Sequence, residues 1–289
     1  MDFNYERPKS LEEALKLRAR YRGDVTFMAG GTDVLVDIRN GVLKPKMLMD
    51  ISSLDELNYI KEEDSQIRIG SGTKIAEIQK AFLIQKHAPL LVKACQKFAN
   101  PLIKNRATIG GNITCASPAA DMAPPLLVLD AEAVLGSTRD KRVLPLHKLF
   151  CGVKQTRERD DELLIEVKFN KPHKEKSEFL KLGLRNGTCL AVASLSIMFG
   201  IANSVIRKPK IALGSVAPTP LRATKTEEML NNKEPGLDNI RRAGDTLKRE
   251  VKPISDIRGS AEYRREISAA LLFTAFQNLG YVLDAEKAQ

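Results

Sequence analysis

Tryptophan is absent from this 289-residue chain, aromatics make up only 5% of it, and it has three histidines and four cysteines. Each shortage excludes something. So few aromatics leave little platform on which single-stranded bases would stack. His87, His147 and His173 lie far apart in the sequence, which argues against a histidine-built metal site. Cys95, Cys115, Cys151 and Cys189 include no CxxC pair. Neither structural zinc nor an iron–sulfur cluster is therefore expected in this chain, and the thiols are expected to be reduced and mostly buried. The longest apolar runs, such as Ala123 to Leu129, fall far short of the ~20 residues of a membrane span. The opening Met1-Asp2-Phe3-Asn4-Tyr5-Glu6 lacks the basic and apolar regions of a signal peptide, so a cytoplasmic protein without a membrane span is expected. There is no GxSxG, no HExxH and no cysteine beside a histidine, so no hydrolytic constellation is present.

The rest of the composition is that of a globular protein, with 43% hydrophobic and 28% charged residues. The net charge of +10 admits an anionic cofactor, an acidic partner or nucleic acid. The basic residues are interspersed with acidic ones, as in Lys171 to Glu178, which favours a solvated surface over nucleic-acid binding. The length predicts two or three domains.

Ser10-Leu11-Glu12-Glu13 reads as a capping box ahead of a helix over Leu11 to Arg20 that Gly23 stops. Val25 to Met28 reads as a strand running into Ala29-Gly30-Gly31-Thr32-Asp33, with a helix from Thr32 or Asp33 to before Asn40 and a strand over Lys46 to Ile51. Tyr59-Ile60 and Ile67 to Gly70 read as a strand pair, followed by helices over Ile75 to Gln85 and Leu90 to Phe98. A second glycine turn, Ala107 to Ile113, leads to an apolar helical stretch over Asp121 to Leu129 and strands over Ala131 to Leu135 and Arg142 to Leu146. Beyond a charged stretch at Arg157 to Lys176, alternating strands over Phe179 to Leu184, Leu190 to Gly200 and Ser204 to Leu213 predict an antiparallel sheet with one covered face. Helices over Ala223 to Leu230, Asn239 to Glu250 and Ala261 to Leu279 complete an α+β C-terminal domain.

The two glycine turns carry the chemistry. Adjacent glycines permit positive φ and close approach of a ligand to backbone amides, and successive N–H groups in such a turn form an anion nest. Two nests would grip both phosphates of a dinucleotide. Thr32, Thr108 and Asn112 are suited to phosphate or ribose oxygens, Asp33 and Asp121 to hydroxyls. A plain turn is the competing reading at each site, since neither segment fits GxGxxG or the P-loop.

Ala29-Gly30-Gly31-Thr32-Asp33 and Thr108-Ile109-Gly110-Gly111-Asn112-Ile113, the latter followed by Ala116-Ser117-Pro118 and Asp121, resemble the two FAD signatures of the molybdenum hydroxylase flavoproteins, the xanthine dehydrogenase and carbon monoxide dehydrogenase medium subunits. Phe98-Ala99, Glu162 to Ile165, Phe179-Leu180-Lys181 with Arg185, Gly214 to Ala223 and Ser260 to Arg264 follow in the family's order along nearly the whole chain. The resemblance implies an α+β protein: an FAD-binding domain over 1–173, built of two α/β subdomains of about 1–55 and 56–173, then a C-terminal α+β domain over 174–289 with an antiparallel sheet and helices. It implies non-covalent FAD, with Ala29, Gly30, Gly31, Thr32, Asp33 and Val34 wrapping the pyrophosphate, Met28 beside them as a further cofactor-binding residue, and Thr108, Gly110, Gly111 and Asn112 completing the grip. Asp121 would bind a ribose or ribityl hydroxyl, Thr114 would lie near the isoalloxazine, Phe98 and Ile165 would pack near the adenine, Ala99 would be a further cofactor-binding residue, and Lys181 would approach the flavin's polar edge. Core packing is the competing reading for Phe98 and Ile165, and an exposed strand face for Lys181. Tyr263 and Arg264 are assigned to domain packing, and no general acid or base is expected.

The implied function is electron transfer within a heteromer. A large subunit would hold the molybdenum cofactor, a small subunit two [2Fe-2S] clusters, and the FAD here would pass electrons to NAD+ or another acceptor. The cysteine-rich insertion of the hydroxybenzoyl-CoA reductase branch is missing, which disfavours that branch. Two other classes compete: a self-contained FAD oxidoreductase of the vanillyl-alcohol oxidase type, and a non-enzymatic nucleotide- or RNA-binding module.

Overall fold

The computed structural model describes residues 3–184 and 190–282; Arg185 and Cys189, singled out above, lie outside the described residues, as do Met1 and Asp2. The chain opens with β1 (Asn4–Glu6), α1 (Leu11–Tyr21), β2 (Val25–Met28), α2 (Val34–Arg39) and β3 (Met47–Asp50). The three strands form a parallel sheet in the order β1-β3-β2. Ser10 caps α1, its Oγ accepting from the Glu13 amide at 3.1 Å. Glu13 reaches back one residue further than a capping box requires, to the Lys9 amide at 2.7 Å. Gly23 is not the stop signal: Arg22 takes the left-handed backbone, with φ of 47°, and Gly23 sits inside the short turn that follows.

Next come β4 (Ile60–Glu63), β5 (Gln66–Gly70), α3 (Ile75–Lys80), α4 (Phe82–His87), α5 (Pro89–Lys97), α6 (Pro101–Lys104), α7 (Ile109–Thr114), α8 (Ala123–Val128), β6 (Glu132–Gly136), β7 (Lys141–Pro145), α9 (Leu146–Leu149), β8 (Phe150–Gly152), β9 (Gln155–Thr156) and β10 (Leu163–Asn170). The helix expected over Ile75 to Gln85 is two, because Ala81 leaves helical backbone with ψ of 124°. An antiparallel five-stranded sheet runs β4-β5-β10-β6-β7. The last stretch is β11 (Lys176–Gly183), β12 (Ala191–Ala202), β13 (Val205–Gly214), β14 (Leu221–Arg222), α10 (Thr224–Leu230), α11 (Leu237–Glu250) and α12 (Ala261–Asn278), with the sheet order β11-β12-β13-β14.

Two compact units interleave along the chain. One comprises residues 3–86, 100–116 and 130–171; the other comprises 87–99, 117–129 and 172–282. In the first, α1 presses Ala14 against Val25, Met47 and Met49, and the same cluster takes in Leu57, Val134, Leu163 and Ile165. In the second, Ala193, Leu195, Ile197 and Phe199 point from one face of β12 toward Leu247 of α11 and Leu272 and Phe276 of α12. The alternation of the sequence predicted one covered face, but β12 is buried without a break from Ala191 to Phe199. The reason is that α12 packs on the strand and α8 packs on it too. A side chain on Gly244 would meet Ala269 Cβ at 3.3 Å, so glycine sets the close approach of α11 to α12. The outer edge of β13 is closed by side chains: Asn231 Oδ1 accepts from the Lys208 amide at 3.1 Å and Glu227 Oε1 from the Ile211 amide at 2.7 Å. Edge amides so occupied cannot template another strand.

Arg264 is buried to 1% exposure and donates to the carbonyls of Val192 and Ser215 at 2.6 and 2.9 Å and to Asp256 at 2.6 Å. It is a packing residue; Tyr263, assigned the same role from sequence, is instead 45% exposed. Arg264→Met should cost about 3–5 kcal/mol in urea unfolding, because two buried carbonyls and a carboxylate lose their donor together. Partial burial pushes the Asp256 carboxyl up, yet hydrogen bonds from Arg258 and Arg264 outweigh it and hold the pKa at about 2. A depressed folded-state pKa means a contribution complete above pH ~4 and lost as pH falls toward 2. Asp256→Asn should therefore flatten the melting temperature's decline across that acid range.

Candidate functional site

Strand β2 stops at Met28, whose carbonyl accepts from the Ile51 amide at 2.9 Å. The chain then turns through Gly31, with φ of 74°, before α2 begins at Val34. The amides of Gly30, Gly31, Thr32 and Asp33 donate to no acceptor among the described residues. Consecutive unspent N–H groups in a turn with one left-handed residue make a nest for an anion. Ala29, Gly30, Gly31, Thr32 and Val34 are half-buried and Asp33 is exposed.

The second glycine segment is built differently from its expectation. It forms the first turn of α7 itself, and its amides are spent inward. Ile109 N donates to Thr73 O at 3.0 Å, Gly110 N to Ser71 O at 2.8 Å, Gly111 N to Thr108 Oγ1 at 3.1 Å and Asn112 N to Thr108 O at 3.0 Å. Thr114 Oγ1 donates to Gly110 O at 3.0 Å. A second amide nest is thus not present here. What the segment offers a ligand is side chains and the open face of Gly111, where an added Cβ would meet only Thr108 Oγ1 at 3.1 Å. Gly110 is closed, since its Cβ would lie 2.6 Å from Ser71 Cβ.

The fold brings the two segments together. A Cβ on Gly30 would collide with the carbonyl of Arg106, immediately before Ala107 and Thr108. Lys154, at the tip of the β8–β9 hairpin, clasps both: its amide donates to Ala116 O at 3.0 Å beyond α7, and its Nζ to Asp37 Oδ2 of α2 at 2.7 Å. That hydrogen bond raises the Lys154 pKa. Sequence reasoning missed Lys154, and 117 residues separate it from Asp37, so no local pattern marks the pair. Ile165 lies in the core of this same unit, where its backbone carbonyl receives the Ser71 amide at 3.0 Å.

Phe98, Ala99, Asp121 and Lys181 belong to the other unit. Phe98 closes α5 and is 7% exposed, and Ala99 holds a left-handed φ of 30°. Lys181 Nζ donates to Asp121 Oδ2 at 2.6 Å and to Lys97 O at 3.2 Å. Its side chain is only 5% exposed, which rules out the exposed-strand reading. Register places Lys181 opposite Ser194, and Ser194 opposite Gly214, on the sheet face that Pro124 of α8 covers. Burial pushes the Asp121 carboxyl up and Lys181 opposes it. Among the described residues Asp121 Oδ1 is buried with no hydrogen-bond partner, and an ammonium has three donors, of which Lys181 spends two on them. The pair therefore keeps one acceptor and one donor for something else.

Among the described residues no group of three or more His, Cys, Asp or Glu side chains is arranged to hold a metal ion. The expectation of mostly buried thiols fails: Cys95 is buried, but Cys115 is half-buried and Cys151 exposed. Among the described residues no helix is long and apolar enough to cross a membrane.

An amide nest at a strand-to-helix turn, with a glycine-faced helix beside it, defines a protein of mixed α and β structure suited to an anionic ligand. Comparison with known proteins narrows the class. Residues 1–172 match the FAD binding domain in molybdopterin dehydrogenase, and residues 179–279 the CO dehydrogenase flavoprotein C-terminal domain. The chain belongs to this family of molybdopterin-dehydrogenase flavoproteins. It is 30% identical to the glyceraldehyde dehydrogenase medium chain of Sulfolobus acidocaldarius, over 96% of this chain and 98% of that one. It is 30% identical to the xanthine dehydrogenase FAD-binding subunit of Escherichia coli O157:H7, over 90% of each. The solved carbon monoxide dehydrogenase from Hydrogenophaga pseudoflava superposes with a TM-score of 0.93 at 28% identity, over 96% of each chain. The protein is thus an FAD-binding oxidoreductase chain, and membership decides for the flavin-subunit reading over the self-contained oxidase and the RNA-binding module.

Gly30→Ala should lower the melting temperature of the ligand-free protein by several degrees, because the loop must move off the Arg106 carbonyl. An unchanged melt would mean that the loop yields without cost.

Proposed function

We propose that this chain is the electron-transfer flavin subunit of a heteromeric molybdenum hydroxylase, and that residues 1–173 form the FAD-binding domain and 174–289 the C-terminal one. A large subunit would carry the molybdenum cofactor and a small one the [2Fe-2S] clusters, with electrons passing through this chain to NAD+ or another acceptor. Support for such partners comes from the relatives, which are medium chains and FAD-binding subunits by name. The observation that carries the cofactor assignment is the run of unspent amides from Gly30 to Asp33.

The residues fit the group. Amides at Gly30 to Asp33, flanked by Met28, Ala29 and Val34, suit a pyrophosphate, which offers acceptors only. The exposed Gly111 leaves room for phosphate to approach the face that Thr108 and Asn112 flank. Asp121 Oδ1 suits a sugar or ribityl hydroxyl as donor, and the remaining Lys181 N–H suits a carbonyl or ring-nitrogen acceptor. Thr114, Phe98 and Ile165 keep the roles the family resemblance implies, near the ring and the adenine, with Ala99 a further cofactor-binding residue. Bound FAD would supply the reversible two-electron chemistry, while the chain supplies grip, orientation and charge.

Purified protein should show oxidised-flavin absorption, and heat should release FAD intact. Gly111→Val should change the melting temperature of the ligand-free protein only slightly, since the added Cβ would meet the Thr108 hydroxyl alone, at 3.1 Å, while weakening FAD binding by tenfold or more. A colourless parent that takes up no added FAD would overturn the assignment. Parent-like FAD affinity in Gly111→Val would remove the second segment from the phosphate site.

A further inference from the structure

The amide nest carries no side-chain cation of its own. Within it, Asp33 adds a negative charge, and the next carboxylate along, Asp37, is already paired with Lys154 at 2.7 Å. A pyrophosphate brought to this loop would meet partial positive charges from the amides and a full negative charge from Asp33. Dipoles alone must then balance two phosphate charges and a neighbouring carboxylate, unless a cation stands within reach.

Arg106 is that cation. Its carbonyl occupies the space a Cβ on Gly30 would need, so its backbone lies directly against the loop. That backbone is fixed: Arg106 N donates to Ile103 O at 3.0 Å, Ala107 N to the same carbonyl at 2.7 Å, and Ile75 N to Ala107 O at 2.9 Å. The side chain is exposed, and its guanidinium makes no ion pair and no hydrogen bond among the described residues. Nearby lysines are committed: Lys154 to Asp37, Lys104 to Gln79 Oε1 at 3.0 Å and Lys74 to Glu77 at 3.6 Å. A fixed backbone next to the nest, carrying a long uncommitted fork of donors, is suited to a bidentate contact with phosphate oxygens.

We propose that Arg106 is a pyrophosphate-binding residue that neutralises the anion held by the Gly30–Asp33 amides, a role that rests on the FAD reading above. Arg106 is not a glycine-turn residue and lies before the second signature, so the signatures themselves do not include it. The expected contribution is to affinity and to its dependence on salt, because an exposed guanidinium–phosphate contact is screened.

The test uses the full chain stripped of ligand and titrated with FAD, with affinity read by flavin fluorescence at low and high salt. Arg106→Gln should raise the FAD dissociation constant about tenfold at low salt, with a smaller difference at high salt. Arg106→Lys should recover part of that loss, since the charge returns without the fork. The remote exposed substitution Lys141→Gln should behave as the parent. Ligand-free melting temperatures of all variants should match, which separates lost charge from lost folding. Parent-like affinity and salt dependence in Arg106→Gln, with FAD still bound, would overturn the proposal and leave the FAD reading intact. Equal loss in Arg106→Gln and Arg106→Lys would also overturn it. Absence of FAD binding in the parent would instead remove the FAD reading itself.

Discussion

A ladder of backbone hydrogen bonds ties the second glycine segment to the end of the five-stranded sheet, and the placing of the site follows from it. Ser71 N reaches Ile165 O, Gly110 N reaches Ser71 O, Ile109 N reaches Thr73 O and Ile75 N reaches Ala107 O, all between 2.8 and 3.0 Å. These bonds consume the amides that a helix start would otherwise present. In exchange they hold residues 106–108 as a rigid wall against which Gly30 lies without a Cβ. The first loop can then leave its own amides unspent, because it lies against this wall while its Gly31 and Asp33 carbonyls accept from the Leu35 and Asp37 amides. One segment is the support and the other the nest, although their sequences look alike.

That division explains what the sequence did and did not disclose. The C-terminal antiparallel sheet and most strands and helices were legible because their apolar periods are local; the parallel pairing of the first three strands was not. The glycine pairs at Gly30-Gly31 and Gly110-Gly111 were legible as candidates, although a plain turn was the competing reading for each. Which glycine serves the protein and which serves a ligand was not. Gly110 faces Ser71 and Gly30 faces Arg106, contacts 39 and 76 residues away by the numbering, and no window along the chain contains both partners. The same holds for the double burial of β12, where alternation was overridden by α8, an element inserted from before the sheet in sequence. The cap at Ser10 was read correctly in kind, but its glutamate partner chose the Lys9 amide.

The buried pair in the other unit obeys a different logic. An ammonium and a carboxylate removed from water gain from one another only when their remaining lone pairs and protons are also served. Lys181 is served by Lys97 O as well as Asp121, yet Asp121 Oδ1 is left without a donor among the described residues. Such a group is costly in a finished protein. A replacement of the pair by apolar residues of similar volume would remove that cost. Keeping it makes physical sense where a hydroxyl or ring atom arrives to complete the set, so that the cost is relieved on binding.

The two arrangements also divide the electrostatic work by range. Unspent amides act over short distance and are indifferent to salt once an oxygen sits among them, whereas an exposed guanidinium such as Arg106 acts over a longer distance and is screened. A dinucleotide approaching the first unit would thus be drawn by charge and retained by dipoles. Asp121 and Lys181 would contribute no such attraction, because their charges offset one another at 2.6 Å. Their effect would be confined to orientation, which suits a chain whose redox chemistry resides in its cofactor.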